Sequence, residues 1–168
     1  MDLLKNQNER LSAVAVLIDL STECLILTKR CDHLQHHPGE ICFPGGNWEQ
    51  NDKTLYETAL RELDEELGIN KSRVTLIKEL QIEKTLLGSV IQPWLVSIDS
   101  VSPLFLNQNE VSNLISLPLS SVKKIDNYQD IIMEKGGVRF PSCSFLPYEE
   151  LIWGATARIM KQLTLFTF

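Results

Sequence analysis

Two runs near the start of the chain, Ser12 to Leu20 and Glu23 to Arg30, are rich in β-branched and aliphatic residues, and the polar pair Ser21-Thr22 divides them. That pattern predicts a β-hairpin. Asp32 to Glu40 is polar and carries Pro38-Gly39, so it reads as a loop. Ile41 to Phe43 reads as a short strand that runs into the turn Pro44-Gly45-Gly46. The clearest periodicity follows. Leu55, Ala59, Leu63 and Leu67 recur at helical spacing over Thr54 to Leu67, and Tyr56 and Leu60 widen the apolar stripe. Thr54 with Glu57 has the spacing of a capping box, and Gly68 stands where a left-handed residue ends a helix.

Farther along, Val74 to Lys84 and Ser89 to Ile98 read as long strands around Leu87-Gly88. Asn107 to Pro118 reads as a loop with a short helical turn, and Ile131 to Phe140 as a hairpin around Gly136-Gly137. Pro147 to Leu163 reads as a C-terminal helix. There is no repeat, low-complexity tract or linker. Mixed strands with two separated helices predict one α/β layered domain over residues 1–168.

Composition narrows the function classes. An apolar fraction of 43% and a charged fraction of 23% are ordinary for a globular protein with a real core. The net charge of −6 argues against non-specific binding to nucleic acid or anionic membranes. No run approaches the length of a membrane span. Met1-Asp2-Leu3-Leu4-Lys5-Asn6 lacks the basic and apolar regions of a secretory signal. Cys24, Cys31, Cys42 and Cys143 form no C-x-x-C pair, so they are expected to be reduced thiols of a cytoplasmic protein. Cys31 and Cys42 read as packing residues, and Cys143 as a loop residue with a free thiol.

The chemistry concentrates on the helix over Thr54 to Leu67. Glu62 faces Glu65 and Glu66, three and four residues on, and such carboxylates repel one another unless a positive group sits among them. Oxygen-only ligands favour a hard divalent cation, Mg²⁺ or Mn²⁺. Winding the helix at about 100° per residue puts the three glutamates beside the apolar stripe, so the helix docks on a sheet while its carboxylates face a cleft.

The residues that follow the Gly-Gly turn resemble the signature of the Nudix hydrolases, G-x5-E-x7-R-E-U-x-E-E-x-G-U, where U is a bulky aliphatic. Arg61-Glu62-Leu63, Glu65-Glu66 and Gly68-Ile69 match its second half in full. Counted from Gly46, the first acidic position falls on Asp52, and eight residues separate it from Arg61 in place of seven. Strict backward counting from Arg61 places Asn47 and Lys53 there instead. The insertion is the better alignment, because it preserves the Gly-Gly turn. Upstream, Ile26-Leu27-Thr28-Lys29-Arg30-Cys31, Gly39 and Phe43-Pro44-Gly45-Gly46 resemble the coenzyme A pyrophosphatase branch. His37-Pro38-Gly39-Glu40, Pro118-Leu119 and Trp153-Gly154-Ala155-Thr156 are similar to that branch too. Cys31 replaces its serine, and Gln35 replaces its second arginine.

The resemblance implies an α/β/α sandwich around a mixed β-sheet and cleavage of a nucleoside diphosphate linked to another moiety. For coenzyme A the products are 4′-phosphopantetheine and adenosine 3′,5′-bisphosphate. Glu62, Glu65, Glu66 and the Gly46 carbonyl are the expected metal ligands. Arg61 is expected to fix a glutamate, its chief role in the family, or instead to contact phosphate. Arg30, His37 and Gly45 are expected at the substrate, with Arg30 clamping the diphosphate through its planar fork. Glu110 resembles the general base supplied by a later loop, a role a helix glutamate fills equally well on sequence grounds. Trp48 reads as a base-stacking residue or a half-buried anchor. Trp153-Gly154-Ala155-Thr156 reads as structural, its small residues letting the last helix approach closely. The apolar end, Leu163 to Phe168, packs on the core or on a second subunit, which leaves a homodimer open. Two other functions compete: hydrolysis of ADP-ribose, NADH or a dinucleotide polyphosphate, and a catalytically silent nucleotide-binding regulator.

Overall fold

The computed structural model describes residues 10–85 and 88–167. Leu87 at the expected turn, the first nine residues and Phe168 lie outside that description. The hairpin is present: β1 (Leu11–Asp19) pairs antiparallel with β2 (Cys24–Arg30). The pairing holds only at one end, Leu17 to Asp19. At the other end β1 takes a different neighbour. After β3 (Ile41–Cys42), which lies against β2, the chain passes through Phe43-Pro44 into β4 (Gly45–Asn47), which pairs with Ser12 to Val14 of β1. The expected glycine turn is therefore also a strand, wedged where β1 and β2 part.

The helix α1 (Leu55–Leu67) starts and stops on local signals. Thr54 Oγ1 accepts from the Glu57 amide at 3.1 Å, and Gly68 adopts φ +64° with its amide on the Asp64 carbonyl at 2.8 Å. Glu57 completes the start by accepting from the Lys53 amide at 2.8 Å, one residue earlier than a strict capping box.

The expected strand from Val74 to Lys84 is broken into β5 (Thr75–Glu79) and β6 (Glu83–Lys84). Both pair antiparallel with β7 (Val90–Ile98), and Leu80 turns inward between them. β7 runs parallel to β1 along nine paired residues. The segment read as a loop from Asn107 is a loop only to Glu110. β8 (Val111–Pro118) pairs with β2, burying Val111, Ile115 and Leu117 and exposing Ser112, Asn113 and Ser116. Its polar outer face hid the strand from a reading by hydrophobicity.

After the short helix α2 (Leu119–Val122), β9 (Tyr128–Lys135) and β10 (Val138–Phe145) form the predicted hairpin, longer at both ends. Cys143 is thus a buried strand residue. All four cysteines are free. Residues 147–151 are not helical. β11 (Ile152–Trp153) first adds to β10, and only then does α3 (Gly154–Gln162) begin. Gly154 is there for its backbone: φ is +66°, and a Cβ would meet nothing within 4 Å. The expectation of close approach through Gly154 is corrected accordingly.

Alternation along β1 divides the interior. Ala13, Ala15 and Leu17 face α1, where they meet Ala59, Leu63, Leu67, Ile69 and Val96. Val16 and Ile18 face the other way, onto Ala157, Met160, Leu163, Cys143 and Phe145. A helix on one face and a helix with the small β9–β10–β11 sheet on the other make the α/β/α sandwich that the pattern implied. Leu163 and Phe166 pack onto the α3 side, whereas Leu165 is exposed.

Candidate active site

The seven residues from Phe43 to Glu49 and the outer edge of α1 bring the acidic run together with the glycine turn. Close approach requires the glycines. A Cβ on Gly45 would stand 2.4 Å from the Ala13 carbonyl oxygen, and one on Gly46 would stand 2.2 Å from Glu62 Oε1. The backbone of Gly46 therefore lies directly against the Glu62 carboxylate.

Arg61 organises one side of the cluster. Its Nε and Nη2 grip Asp52 with contacts of 3.1 Å each, to Oδ1 and Oδ2. Nη2 also donates to the Asn47 carbonyl at 3.0 Å. Nη1 reaches Glu62 Oε1 at 3.0 Å and Glu65 Oε2 at 3.3 Å, with Glu49 at 3.7 Å. Asp52 is buried and fully engaged: Thr58 Oγ1 donates to it at 2.9 Å, and the Glu49 amide at 3.1 Å. The Arg61 hydrogen bonds, aided by those from Glu49 and Thr58 and opposed by burial, hold its carboxyl below the ordinary value of 3.8. These bonds and the surrounding acids raise the Arg61 guanidinium still further above its already high value. Asp52 was left out of the expected site. The signal for it was present in the acidic position six residues after Gly46. Exposed Lys53, the rival under strict counting, has no comparable role.

Glu66 stands on the other side, and its situation is the reverse. Its residue is 3% exposed, and its Oε2 has no hydrogen-bond partner. Burial, then the neighbouring charges of Glu62 and Glu110, push its carboxyl up to about 8, against the pull of Arg30 and the Gly45 amide. Glu62 is raised for the same first reason, burial, with Arg61 opposing and Glu65 and Glu110 adding. A buried, unpartnered carboxylate costs free energy unless a cation joins it. Among the described residues no group of three or more His, Cys, Asp or Glu side chains is placed to hold a metal ion. Glu62 and Glu65 are both drawn onto Arg61 Nη1. The carboxylates that act on Glu66, those of Glu62 and Glu110, are oxygen donors of the kind a hard divalent ion takes, although the Cys42 thiol also lies within electrostatic reach of Glu66.

The remaining expected residues fall at varying distances from this centre. Glu110 is close enough to act electrostatically on both Glu62 and Glu66, and Arg30 on Glu66. Arg30 is steadied by donating Nε to the His36 carbonyl at 3.3 Å. His37 adopts φ +54°, pairs Nδ1 with Glu40 at 2.9 Å, and its side chain is 57% exposed. Trp48 is exposed at 39%, but its Nε1 donates to the Asp52 carbonyl at 3.0 Å, which ties it to this turn.

Comparison with known proteins agrees with this geometry. The family model of the NUDIX domain matches residues 8–131. An uncharacterized Nudix hydrolase, NudL, of Yersinia pestis (strain Pestoides F) is 30% identical over 156 residues, which span 93% of this chain and 78% of NudL. Among solved structures, a C. elegans Ap4A hydrolase binary complex superposes with a TM-score of 0.55 at 19% identity, over 65% of this chain and 80% of that one. The NUDIX domain of Shewanella oneidensis NrtR complexed with ADP ribose gives 0.54 at 22% identity, over 73% and 80%. At such identities the two structures speak to the fold.

Proposed function

This chain belongs to the Nudix hydrolase family, and we propose that it hydrolyses the diphosphate of a nucleoside diphosphate derivative, with coenzyme A or its derivatives as the leading substrate. The observation that carries the reaction class is the buried, unpartnered Oε2 of Glu66, whose carboxyl is acted on by Glu62, Glu110 and the Gly45 amide. Support for coenzyme A comes from Arg30, Gly39 and Phe43-Pro44-Gly45-Gly46 upstream of the signature. In this reading the products are 4′-phosphopantetheine and adenosine 3′,5′-bisphosphate.

Glu62, Glu65, Glu66 and the Gly46 carbonyl are the residues that would hold Mg²⁺ or Mn²⁺. When bound, such an ion neutralises phosphate charge and acidifies water. The chain's own groups do the rest. Arg61, anchored by buried Asp52, holds Glu62 and Glu65 in fixed rotamers. Arg30 offers a cation on the Glu66 side for a phosphate oxygen. His37, on the exposed loop before β3, and the backbone of Gly45, at the start of β4, are the proposed substrate contacts. Glu110, poised near the acidic pair, takes the proton of the attacking water.

A second reading keeps the chemistry and changes the substrate to ADP-ribose or a dinucleotide polyphosphate. Gln35 favours it, since the coenzyme A branch carries arginine there. The ADP-ribose bound to the Shewanella NUDIX domain and the Ap4A hydrolase of C. elegans name such ligands on the same fold. The discriminating experiment incubates purified protein and Mg²⁺ or Mn²⁺ with coenzyme A, acyl-coenzyme A, NADH, ADP-ribose and dinucleotide polyphosphates, and identifies products by mass. Release of phosphopantetheine at the highest kcat/KM supports the first reading. Faster turnover of another compound replaces it. No metal-dependent turnover of any of them supports a nucleotide-binding role.

A further inference from the structure

Glu110 stands on a tight turn over residues 107–110, and this turn is tied down from two directions. Toward α1, the Asn107 amide donates to the backbone carbonyl of Glu66 at 2.9 Å. Asn107 also receives the amides of Glu110 and Val111 on its own carbonyl, at 2.9 Å each, and its Nδ2 reaches Glu110 Oε1 at 3.4 Å. Toward β2, three consecutive carbonyls of the turn are taken by residues just past that strand. Cys31 Sγ donates to Gln108 O at 3.4 Å, His33 Nε2 to Asn109 O at 3.1 Å, and the Cys31 amide to Glu110 O at 2.9 Å. Cys31 is 6% exposed, so its thiol points inward to make this contact.

The β2–β8 register slips beside the turn, where Lys29 faces Asn113 but Arg30 faces Val111. Ser112 is the extra residue, and its Oγ donates to the Lys29 carbonyl at 3.1 Å. A bulge of this kind re-aims the side chains on either side of it. We infer that Cys31, assisted by His33, is a positioning residue for Glu110: by capturing the carbonyls of residues 108 and 109 it sets where the Glu110 carboxylate points. This rests on the reading of Glu110 as the proton acceptor. The amide of residue 31 binds Glu110 whatever its side chain, so the thiol's share is separable by substitution.

The test uses the full chain, Mg²⁺ and whichever substrate of the panel above turns over fastest. Cys31→Ala is expected to lower kcat on the order of tenfold with KM little changed, because a displaced base costs rate more than binding. Cys31→Ser keeps a donor for the Gln108 carbonyl and is expected to restore most of the loss. In a Glu110→Gln background Cys31→Ala is expected to have no further effect. Wild-type kcat in Cys31→Ala, failure of serine to rescue, or an equal loss in both backgrounds overturns the proposal. Should Cys31→Ala fail to fold, the exposed His33→Ala replaces it in the same cycle, and wild-type kcat or an equal loss in both backgrounds overturns the proposal. A Glu110→Gln variant with unchanged kcat sinks the base assignment and the catalytic half of this proposal with it. The mooring is then decided by amide exchange at Glu110 and Val111, where faster exchange in Cys31→Ala upholds it and unchanged exchange overturns it.

Discussion

On one side of α1, Arg61 spends its donors on Asp52, Glu62, Glu65 and the Asn47 carbonyl, and the buried Asp52 beneath it accepts from Thr58 and Glu49 as well. On the other side, Glu66 is equally buried but has an oxygen with no partner, and its nearest charged neighbours include two more acids. The same low-dielectric burial that secures a satisfied carboxylate penalises an unsatisfied one. Asp52 is held ionised below its ordinary range, and Glu66 is pushed toward the neutral form. The contrast separates scaffold from site within one turn of helix. The satisfied carboxylate stabilises the fold, and the unsatisfied one is where we propose that a cation and a diphosphate bind.

Substitutions at these two positions are expected to part in opposite directions. Glu66→Gln is expected to reduce metal-dependent kcat on the order of 10³-fold, the scale of losing a group that stabilises transition-state charge. Its melting temperature in metal-free buffer should not fall, because a neutral amide replaces an unpaired buried carboxylate. Near-normal kcat there would show that Glu66 is not at the metal. Asp52→Ala is expected to do the converse, lowering stability by about 3 kcal/mol by stripping Arg61 of its buried partner. Denaturant unfolding measures this, and an unchanged midpoint would make the Arg61 web ornamental.

Smaller effects sharpen the boundary. Glu110→Gln is expected to lower kcat about a hundredfold, the low end for losing a general base. A change under threefold moves the role onto a helix glutamate. Gly46→Ala forces the Glu62 carboxylate aside, since the new Cβ would lie 2.2 Å from its Oε1. It is expected to cost about tenfold in kcat with a modest loss of stability, because the displaced atom is the end of a side chain. Equal kcat in that variant would remove Glu62 from the site.

The smallest signature is in pH. Arg61 holds the folded Asp52 carboxyl below its ordinary value of 3.8. Its ionised form therefore stabilises the fold above 3.8, and this contribution is lost as pH falls through the lower folded value. Asp52→Asn should accordingly melt below the parent protein at pH 7, with the gap closing in acid below pH 3.8. A gap that stays constant across this range would mean that Asp52 contributes shape and not charge.

Much of this was legible along the chain, for reasons that differ by element. α1 carries its own start in Thr54, its own stop in Gly68 and an apolar stripe between them, so local chemistry suffices to define it. α3 has no side-chain N-cap. Its start waits for β11 to fold back on β10 across residues 146–151, and the helix read from Pro147 was too long for that reason. β8 was missed because its outward residues are polar and its partner, β2, lies far back in the chain. The carboxylates Glu62, Glu65 and Glu66 were apparent from helical spacing. Asp52 was passed over because it acts through Arg61, a neighbour that only folding supplies.

The sequence by itself determined the capped acidic helix, the glycines before it and the alternation that gives β1 two buried faces, since all three depend on residues within a few positions of one another. Only the tertiary structure decided which carboxylate is neutralised and which is left over. That outcome required β4 to wedge between β1 and β2, Arg61 to reach back to Asp52, and the 107–110 turn to bring Glu110 beside Glu66. Burial and partner count are properties of the assembled interior, and they make chemically similar acids into a strut and a proposed metal ligand.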